Sequence, residues 1–564
     1  MRLLLFVALQ LRIAGSDGAP KVSAAIATDS IRDMIRARGA QASFERSRRS
    51  LLPYGASTAG RCDVRLGRFC WWYDEREPVF PPEAAAIGRR RVELLTELDS
   101  LARRHPGDDW LWGMRVHYRV DGRNMAGADS VARACHATGW WCAALMGYAS
   151  HALGQGAAAE SAFTGSVAAM PLDVACAWRN IAPLLDDDAR RDYERLPCDE
   201  RLSMERRYWL VSRPQLSAVA NEWQNEFNAR RVLVWLGERG ATPHLTTWGW
   251  DAAELVLRYG WPVSWSRVVA SSAPGAEPAI VGHDPSPSFA FAPRRVLADS
   301  ASPLTDDDWD VANRGAPARY TPRLVRRITK VAAQFARFRR GDSTLVAAAY
   351  AVAGDSLRAA TATLGAAGDD GIVANRRVDF GGQGTLRVIL AGAPVLAGVD
   401  VADTTTRTLA RVRAGFSPAG GGGRLAVSDL LVYRGGGEPA LSLDSALERA
   451  VAGDVLERSV PAGLFWETYG LAPEGERVDV SMRVDRVDRG FLRRARQRLG
   501  LAAVDTPIRM QWVDARPSAD RAASHAVSID LGNLDAGRYR ITLTVSPAVG
   551  PAVATSREII LIEP

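Results

Sequence analysis

The sequence predicts a multidomain α + β protein, helical in its N-terminal part, with a small α/β module near the middle and β-sandwiches toward its C-terminus. Three observations carry this. At 564 residues the chain exceeds what one hydrophobic core supports, so roughly three to four domains are expected. Helical periodicity runs from Glu83 through Arg104 and from Trp110 to Val120, whereas from Ser343 onward the period is two, the spacing of half-buried strands. Fifteen of 17 tryptophans lie between Trp71 and Trp309, leaving Trp466 and Trp512 beyond, so the two regimes also differ in core chemistry.

Composition narrows the function classes. A hydrophobic content of 47% with 24% charged residues is ordinary for globular protein. The 71 basic and 64 acidic residues, net +7, are interspersed, and Lys21 and Lys330 are the only lysines. No single-sign stripe of the kind phosphate binding requires results, so no nucleic-acid partner is expected. Met1-Arg2, the apolar run Leu3 to Leu11 and the small residues Ala14-Gly15-Ser16 read as a signal peptide over 1–16, although Arg12 cuts the run short. No later segment approaches the ~20 apolar residues of a membrane span, so an exported protein of the periplasm or cell surface is expected, not an integral membrane protein.

The six cysteines fall in local couples: Cys62 with Cys70, Cys135 with Cys142, Cys176 with Cys198. Structural disulfides in an oxidising compartment explain that grouping. Only Cys135-His136 comes near metal-ligand spacing, so no metal site and no cofactor is expected.

In chain order, 17–60 reads as a linker with one short helix, and Arg61 to Tyr73 as a cysteine-stapled aromatic cap on the helices that follow. Between Trp140 and Pro171, the residues Gly147, Gly154, Ala159, Phe163 and Pro171 resemble, in order and spacing, the small residues, second-helix Phe and closing Pro of a tetratricopeptide motif. Small residues let two antiparallel helices approach, the Phe fills the gap between neighbouring repeats and the Pro ends the second helix. This stretch resembles a tetratricopeptide repeat, with Ala143 and Ser150 at that motif's first-helix Trp and Tyr positions. Weaker helical pairs at about 85–135 and 172–198 extend it to a short solenoid over 61–200, whose concave surface would receive a protein or peptide partner.

Residues 201–270 hold the most informative pattern. Asn221, Glu222, Glu226, Phe227 and Arg230 form an Asn-Glu-x-x-x-Glu-Phe-x-x-Arg helix, and Trp248, Asp251, Tyr259, Gly260 and Pro262 follow at fixed spacing. Together they resemble the GWxTD-domain proteins, with Thr247 where that family has Gly and Trp250 where it has Thr. Tyr208-Trp209 and Arg213-Pro214 resemble the family's lead-in. The resemblance implies a fold and no established reaction.

Residues 271–318, rich in Pro, Ser, Ala and Asp, read as a linker in which Pro285-Ser286-Pro287 favours extended backbone, and 319–342 as a basic helix or connector. Short alternating segments then recur: Ser343 to Ala353, Thr385 to Leu390, Leu425 to Tyr433, Val478 to Val484, Ile508 to Val513 and Ile559 to Ile562. In Asp535 to Val545, Tyr539, Ile541, Leu543 and Val545 share one face. Roughly a dozen strands suit two immunoglobulin-like sandwiches, placed at 343–437 and 438–564. The stretch Phe465 to Gly470 resembles a strand found beyond the GWxTD region in that family.

No hydrolase, phosphate-loop or dinucleotide motif is present, and no catalytic residue is assigned. His244 and His283 flank the GWxTD-like segment, where Glu222, Glu226 and Asp251 offer carboxylates. Glu222 and Glu226 share a helix face that acid–base chemistry exploits; the plainer reading pairs Glu226 with Arg230. The aromatic set Trp248, Trp250, Tyr259, Trp261 and Trp265 reads as core, or, if exposed, as a surface for sugar rings. Asp186-Asp187-Asp188 suits a helix start. The expected function is an exported, non-enzymatic interaction or scaffold protein of the cell envelope. The alternative is an envelope hydrolase or glycan-binding protein centred on the GWxTD-like module.

Overall fold

A computed structural model describes residues 21–55, 63–71, 82–244, 246–268, 279–296, 303–353, 357, 360–371, 373–417, 425–471, 476–487, 508–514 and 522–563. The signal-peptide segment 1–16 and Cys62 lie outside them.

The N-terminal body contains α1 (Lys21–Leu51), a hairpin of β1 (Val64–Leu66) and β2 (Phe69–Trp71), then α2 (Ala85–Arg104), α3 (Asp109–Asp121), α4 (Met125–Arg133), α5 (Gly139–Leu153), α6 (Gly156–Ala169), α7 (Leu172–Arg179), α8 (Asp187–Arg195), α9 (Arg201–Val211), α10 (Glu222–Gly237) and α11 (Trp250–Tyr259). A second hairpin, β3 (Ser264–Val268) with β4 (Ala279–His283), closes it. Side-chain caps set several helix starts: Asp108, Asn124, Asp186 and Asn221 each accept a backbone N–H of the first turn. Gly154, at φ +79°, ends α5 in the left-handed conformation that glycine adopts without strain. The chain then turns at once into α6. A Cβ at Gly147 would lie 2.7 Å from the ring of Phe163, so the two helices approach closely, and here the Phe packs within the hairpin, where a place between repeats was expected.

Two disulfides are present among the described residues. Cys135–Cys142 joins the end of α4 to α5, and Cys176–Cys198 ties α7 to the turn before α9. Cys70 is disulfide-bonded as well. No helix among the described residues is long and apolar enough to cross a membrane.

Three segments differ from expectation. The stretch read as a linker over 17–60 holds the 31-residue helix α1, and the fold begins there, not near Cys62. The described parts of 271–318 are integrated: β4 lies there, and Phe291, Val296, Leu304 and Trp309 are buried with Trp209, Trp223 and Phe227 in one core that also draws on α1 to α10. The region read as a helical domain and the 201–270 module therefore share a single apolar interior. Finally, 319–342 forms strands, not a helix.

Those strands, β5 (Arg327–Lys330) and β6 (Ala332–Arg340), open a unit completed by β7 (Ser343–Ala351), β8 (Ala360–Ala367), β9 (Val373–Asp379), β10 (Gln383–Ala391), β11 (Leu396–Asp403) and β12 (Thr408–Gly415). Its sheets run β10-β7-β6 and β5-β12-β11-β8-β9. Phe335, Val346 and Tyr350 of the first share a core with Leu364, Val399 and Val412 of the second. The second unit comprises β13 (Ala426–Val427), β14 (Leu431–Arg434), α12 (Leu443–Glu448), β15 (Val455–Glu457), β16 (Ala462–Tyr469), β17 (Val478–Arg486), β18 (Ile508–Asp514), β19 (Ala522–Ile529), β20 (Gly537–Pro547) and β21 (Val553–Ile562). Here β16 pairs with β13, β14 and β19, and the facing sheet runs β15-β21-β20-β17-β18. Tyr539, Ile541, Leu543 and Val545 of β20 are all buried, as the period of two requires. Leu431 to Arg434 thus belongs to the second unit, not the first.

The units are not beads on a string. Phe338 and Ala347 of the first pack on Leu431, Tyr433, Leu447 and Phe465 of the second, flanked by the ion pairs Arg337–Asp429 (2.8 Å) and Arg340–Glu467 (2.6 Å).

Candidate functional site

Helix α10 packs on α3, α5 and α6. Eleven of its 16 residues are buried, so it is a helix enclosed on most sides. Its polar side chains meet polar groups across that surface. Asn221 caps the helix, donates from Nδ2 to the Trp209 carbonyl (2.8 Å) and from its backbone N–H to Glu160 Oε2 (2.6 Å). Asn225 Nδ2 donates to the Gly156 carbonyl (2.9 Å), and Asn228 Oδ1 accepts from Trp178 Nε1 (2.9 Å). Trp235 packs on Trp141, with ring centroids 4.0 Å apart.

Glu226 is gripped from two sides. His151 Nε2 lies 2.7 Å from Oε2, and Arg230 Nε donates to Oε1 at 2.7 Å. Burial alone would raise this carboxyl, but the Arg230 charge and the His151 bond outweigh it and hold it at about 2. Arg230 also donates to the Leu257 carbonyl (2.9 Å) and lies over the Trp223 ring. Gly260, at φ +93°, passes beside it, and a Cβ there would stand 3.1 Å from Arg230 Nη2. Glu222 Oε1 accepts the Arg323 N–H at 3.1 Å.

The other half of the motif is tied elsewhere. Asp251 receives a two-pronged bond from Arg68, Nε to Oδ2 at 2.7 Å and Nη2 to Oδ1 at 2.8 Å. That contact holds its carboxyl well below the usual range and fixes the β1–β2 hairpin to α11. Tyr259 stacks on Trp71 of the same hairpin at 4.9 Å. Trp248 covers Gly237, whose Cβ would meet its ring at 2.5 Å, and Pro262 covers Gly282. Of the aromatic set, Tyr259 and Trp265 are buried, Trp248 and Trp261 partly so, and Trp250 is 68% exposed.

The two flanking histidines lie in different surroundings. The ring of His244 packs between Phe69 and Trp265, where burial pushes it down to about 4. His283 shares a hydrogen bond with Ser266 Oγ at 2.7 Å. Each candidate group thus has a different set of partners. Asp186 caps α8, as a helix-start acid should.

Sequence reasoning missed His151, Asn225, Asn228 and Glu160. The three amides Asn221, Asn225 and Asn228 recur at helical spacing along α10, and that was the available signal. It also missed the seat of the Arg213-Pro214 loop. Leu216 N donates to Asp400 Oδ2 (2.8 Å), and Arg413, which bonds Asp400 Oδ1 (2.7 Å), reaches the Pro214 carbonyl. The loop is thereby locked onto the outer face of the five-stranded sheet. A cleft of about 220 Å³ opens between Leu184–Asp186 and the 290–318 segment, with Arg294 and Asp310 among its lining residues.

No protein-family model matches the chain, and no curated protein matches it. Among solved structures, part of the chain is similar to red sea bream transglutaminase, with 11% identity over 42% of this chain and 32% of that one, and a TM-score of 0.13. Another likeness is to a structure of the receptor tyrosine kinase Torso, with 7% identity over 42% and 74% and a TM-score of 0.11. A third is to Bacteroides uniformis beta-glucuronidase, with 9% identity over 38% and 26% and a TM-score of 0.16. The chain spans about a third of the transglutaminase's length. At such TM-scores these likenesses bear on neither fold nor function.

Proposed function

We propose that the chain is an exported, non-enzymatic interaction protein of the cell envelope. In this reading α5 and α6 are a tetratricopeptide-like hairpin, residues 201–270 a GWxTD-like module that joins helical body to β-units, and the two-sheet units immunoglobulin-like spacers. The disulfides support an oxidising compartment. One observation carries the non-enzymatic reading: the acid–base side chains of the module are engaged within the chain, Glu226 by Arg230 and His151, and Asp251 by Arg68. Groups held in that way position a helix and a hairpin; they are not poised to meet a substrate.

Since α10 packs on α3, α5 and α6, we propose that the partner protein docks elsewhere on the helical body. There Ile31 and Ile35, one turn apart on α1, are 62% and 67% exposed. The test is affinity capture by the full chain from the producing cell's envelope extract. A protein partner retained by Glu226→Gln and lost from Ile31→Glu/Ile35→Glu, with far-UV circular dichroism unchanged, supports the reading. A hydrolytic activity abolished by Glu226→Gln in a folded protein refutes it. The exposed Trp250 favours a second reading, glycan contact, which requires retention on a glycan resin that Trp250→Ala abolishes.

A further inference from the structure

Helix α1 is docked through polar residues. Gln41, Glu45 and Arg48 follow one another at intervals of four and three, so they share a face, and each is only 1% exposed. Gln41 Nε2 donates to the Tyr118 hydroxyl and to the Ala241 carbonyl, both at 2.7 Å. Tyr118 in turn donates to Glu45 Oε1 at 2.6 Å. Arg48 pairs with Asp121, which also takes Arg91 Nε at 2.9 Å, and Arg91 reaches Glu83 at 2.5 Å.

The charges in this cluster do not balance if every acid is ionised. Two guanidiniums, Arg48 and Arg91, face three carboxyls. Asp121 and Glu83 hold the close contacts, whereas the nearest approach of Arg48 to Glu45 is 3.6 Å, too long for a hydrogen bond. Glu45 Oε2 makes none, and neither do Nε and Nη1 of Arg48 or Nδ1 of the buried His117. Both residues line one small cavity, of about 10 Å³, with Tyr118, Thr242 and Trp261. That is room for a single water between polar groups. A carboxylate in such a place is costly, while a carboxylic acid whose O–H has an acceptor is not.

We propose that Glu45 is held as a neutral acid whose O–H reaches His117 Nδ1 through one buried water, and that α1 is a clasp which loosens when this proton is removed. The groups facing Glu45 are Arg48 on its own helix, Arg91 from α2 with Glu83 before it, and His117, Tyr118 and Asp121 from α3; α10 contributes Leu233 and Leu236 to the same cavity. Burial raises Glu45, and Arg48 and Tyr118 offset it only in part, leaving it at about 7; burial pushes His117 down to about 4, which keeps it a neutral acceptor. Because the folded value is raised, docking of α1 is complete below the ordinary carboxylate range and is lost as pH rises through about 7.

The experiment is hydrogen exchange of α1 amides from Ala40 to Ser50 in the full chain, corrected for intrinsic rates and referenced to α10, from about pH 5 to about pH 9. Relative protection of α1 in the native sequence is expected to fall on the order of 10²-fold across that range, while Glu45→Gln keeps the acid-side protection throughout. Asp33 also touches α1's neighbours, Arg104 and His105, so Asp33→Asn must retain the fall. Glu45→Leu serves if the Gln variant misfolds, and it too should be flat. Protection that is independent of pH in the native sequence, or an undiminished fall in both Glu45 variants, overturns the proposal.

Discussion

Replacing Asp400 with Ala tests whether the helical body and the first β-unit are one rigid object. Asp400 and Arg413 have side chains 3% and 1% exposed and are bonded at 2.7 Å. Asp400 is also the acceptor for Leu216 N, and Arg411 is buried alongside, pushed down to about 9 by burial and by the charge of Arg413. Without the carboxylate, the two buried guanidiniums share the Pro214 carbonyl, with the Val412 carbonyl a further acceptor for Arg413. Breaking a buried pair from one side costs about 3–5 kcal/mol, and an orphaned backbone N–H about 1–3 kcal/mol. These overlap, so a loss of about 4–6 kcal/mol is expected, comparable with the whole stability of a marginal domain. Urea unfolding followed by tryptophan fluorescence and by far-UV circular dichroism is the assay, since 15 of 17 tryptophans lie at or before Trp309. The native chain should unfold with the two probes nearly coincident, and Asp400→Ala with the fluorescence transition displaced to lower urea. Asp400→Leu combined with Arg413→Met should recover most of the loss, because an apolar pair needs no counter-charge. A cost below about 1 kcal/mol for Asp400→Ala would refute the reasoning.

Gly147→Val drives a branched side chain into the Phe163 ring and should cost about 1–3 kcal/mol by thermal melting, as overpacking does. Glu226→Gln removes the charge from two hydrogen bonds and should cost about 1.5–3 kcal/mol. Since Glu226 is lowered to about 2, its contribution is present above the ordinary carboxylate range and lost as pH falls toward 2, so the variant's stability should vary less with acid than the native protein's. Reduction of Cys176–Cys198, separated by 22 residues, should lower the midpoint of urea unfolding by an amount equivalent to about 2–4 kcal/mol. An unchanged midpoint would mean that α7 is held by packing alone.

In strands such as β20 one face is buried and the other wet, so the alternation survives and the strand is legible in the sequence. In β6, by contrast, Phe335 faces the core of its own unit while Ala336 and Phe338 face the second unit. Both sides are covered, the alternation is lost, and the arginines dominate the reading. Helix α1 was read only as one short helix in a linker, because Gln41, Glu45 and Arg48 point inward beside Ala37 and Phe44 while Ile31 and Ile35 point out, which blurs the pattern on which helix detection rests. The Pro-rich 285–287 stretch bends at Ser286, and its neighbours satisfy their backbone groups across the core. Phe289 pairs with Tyr320, and Ala290 N donates to the Val311 carbonyl. Composition alone does not distinguish a linker from an irregular segment that packs.

The candidate site shows the same limit in sharper form. Spacing placed Glu222, Glu226 and Arg230 on one helix and paired Glu226 with Arg230 correctly, because that contact is four residues long. The groups that decide what Glu226 and Asp251 do lie far away in sequence: His151 is 75 residues from Glu226, and Arg68 is 183 from Asp251. Local pattern gives the face of a helix but not what stands opposite it. Each distant partner converts an apparent acid or base into a fastening, Glu226 holding α10 to α5 and Asp251 holding the β1–β2 hairpin to α11. If that is their role, charge-neutral substitutions at both positions should lower stability in proportion to the bonds lost and leave partner capture unchanged per folded molecule. A catalytic role would separate the two quantities, with activity lost at full stability.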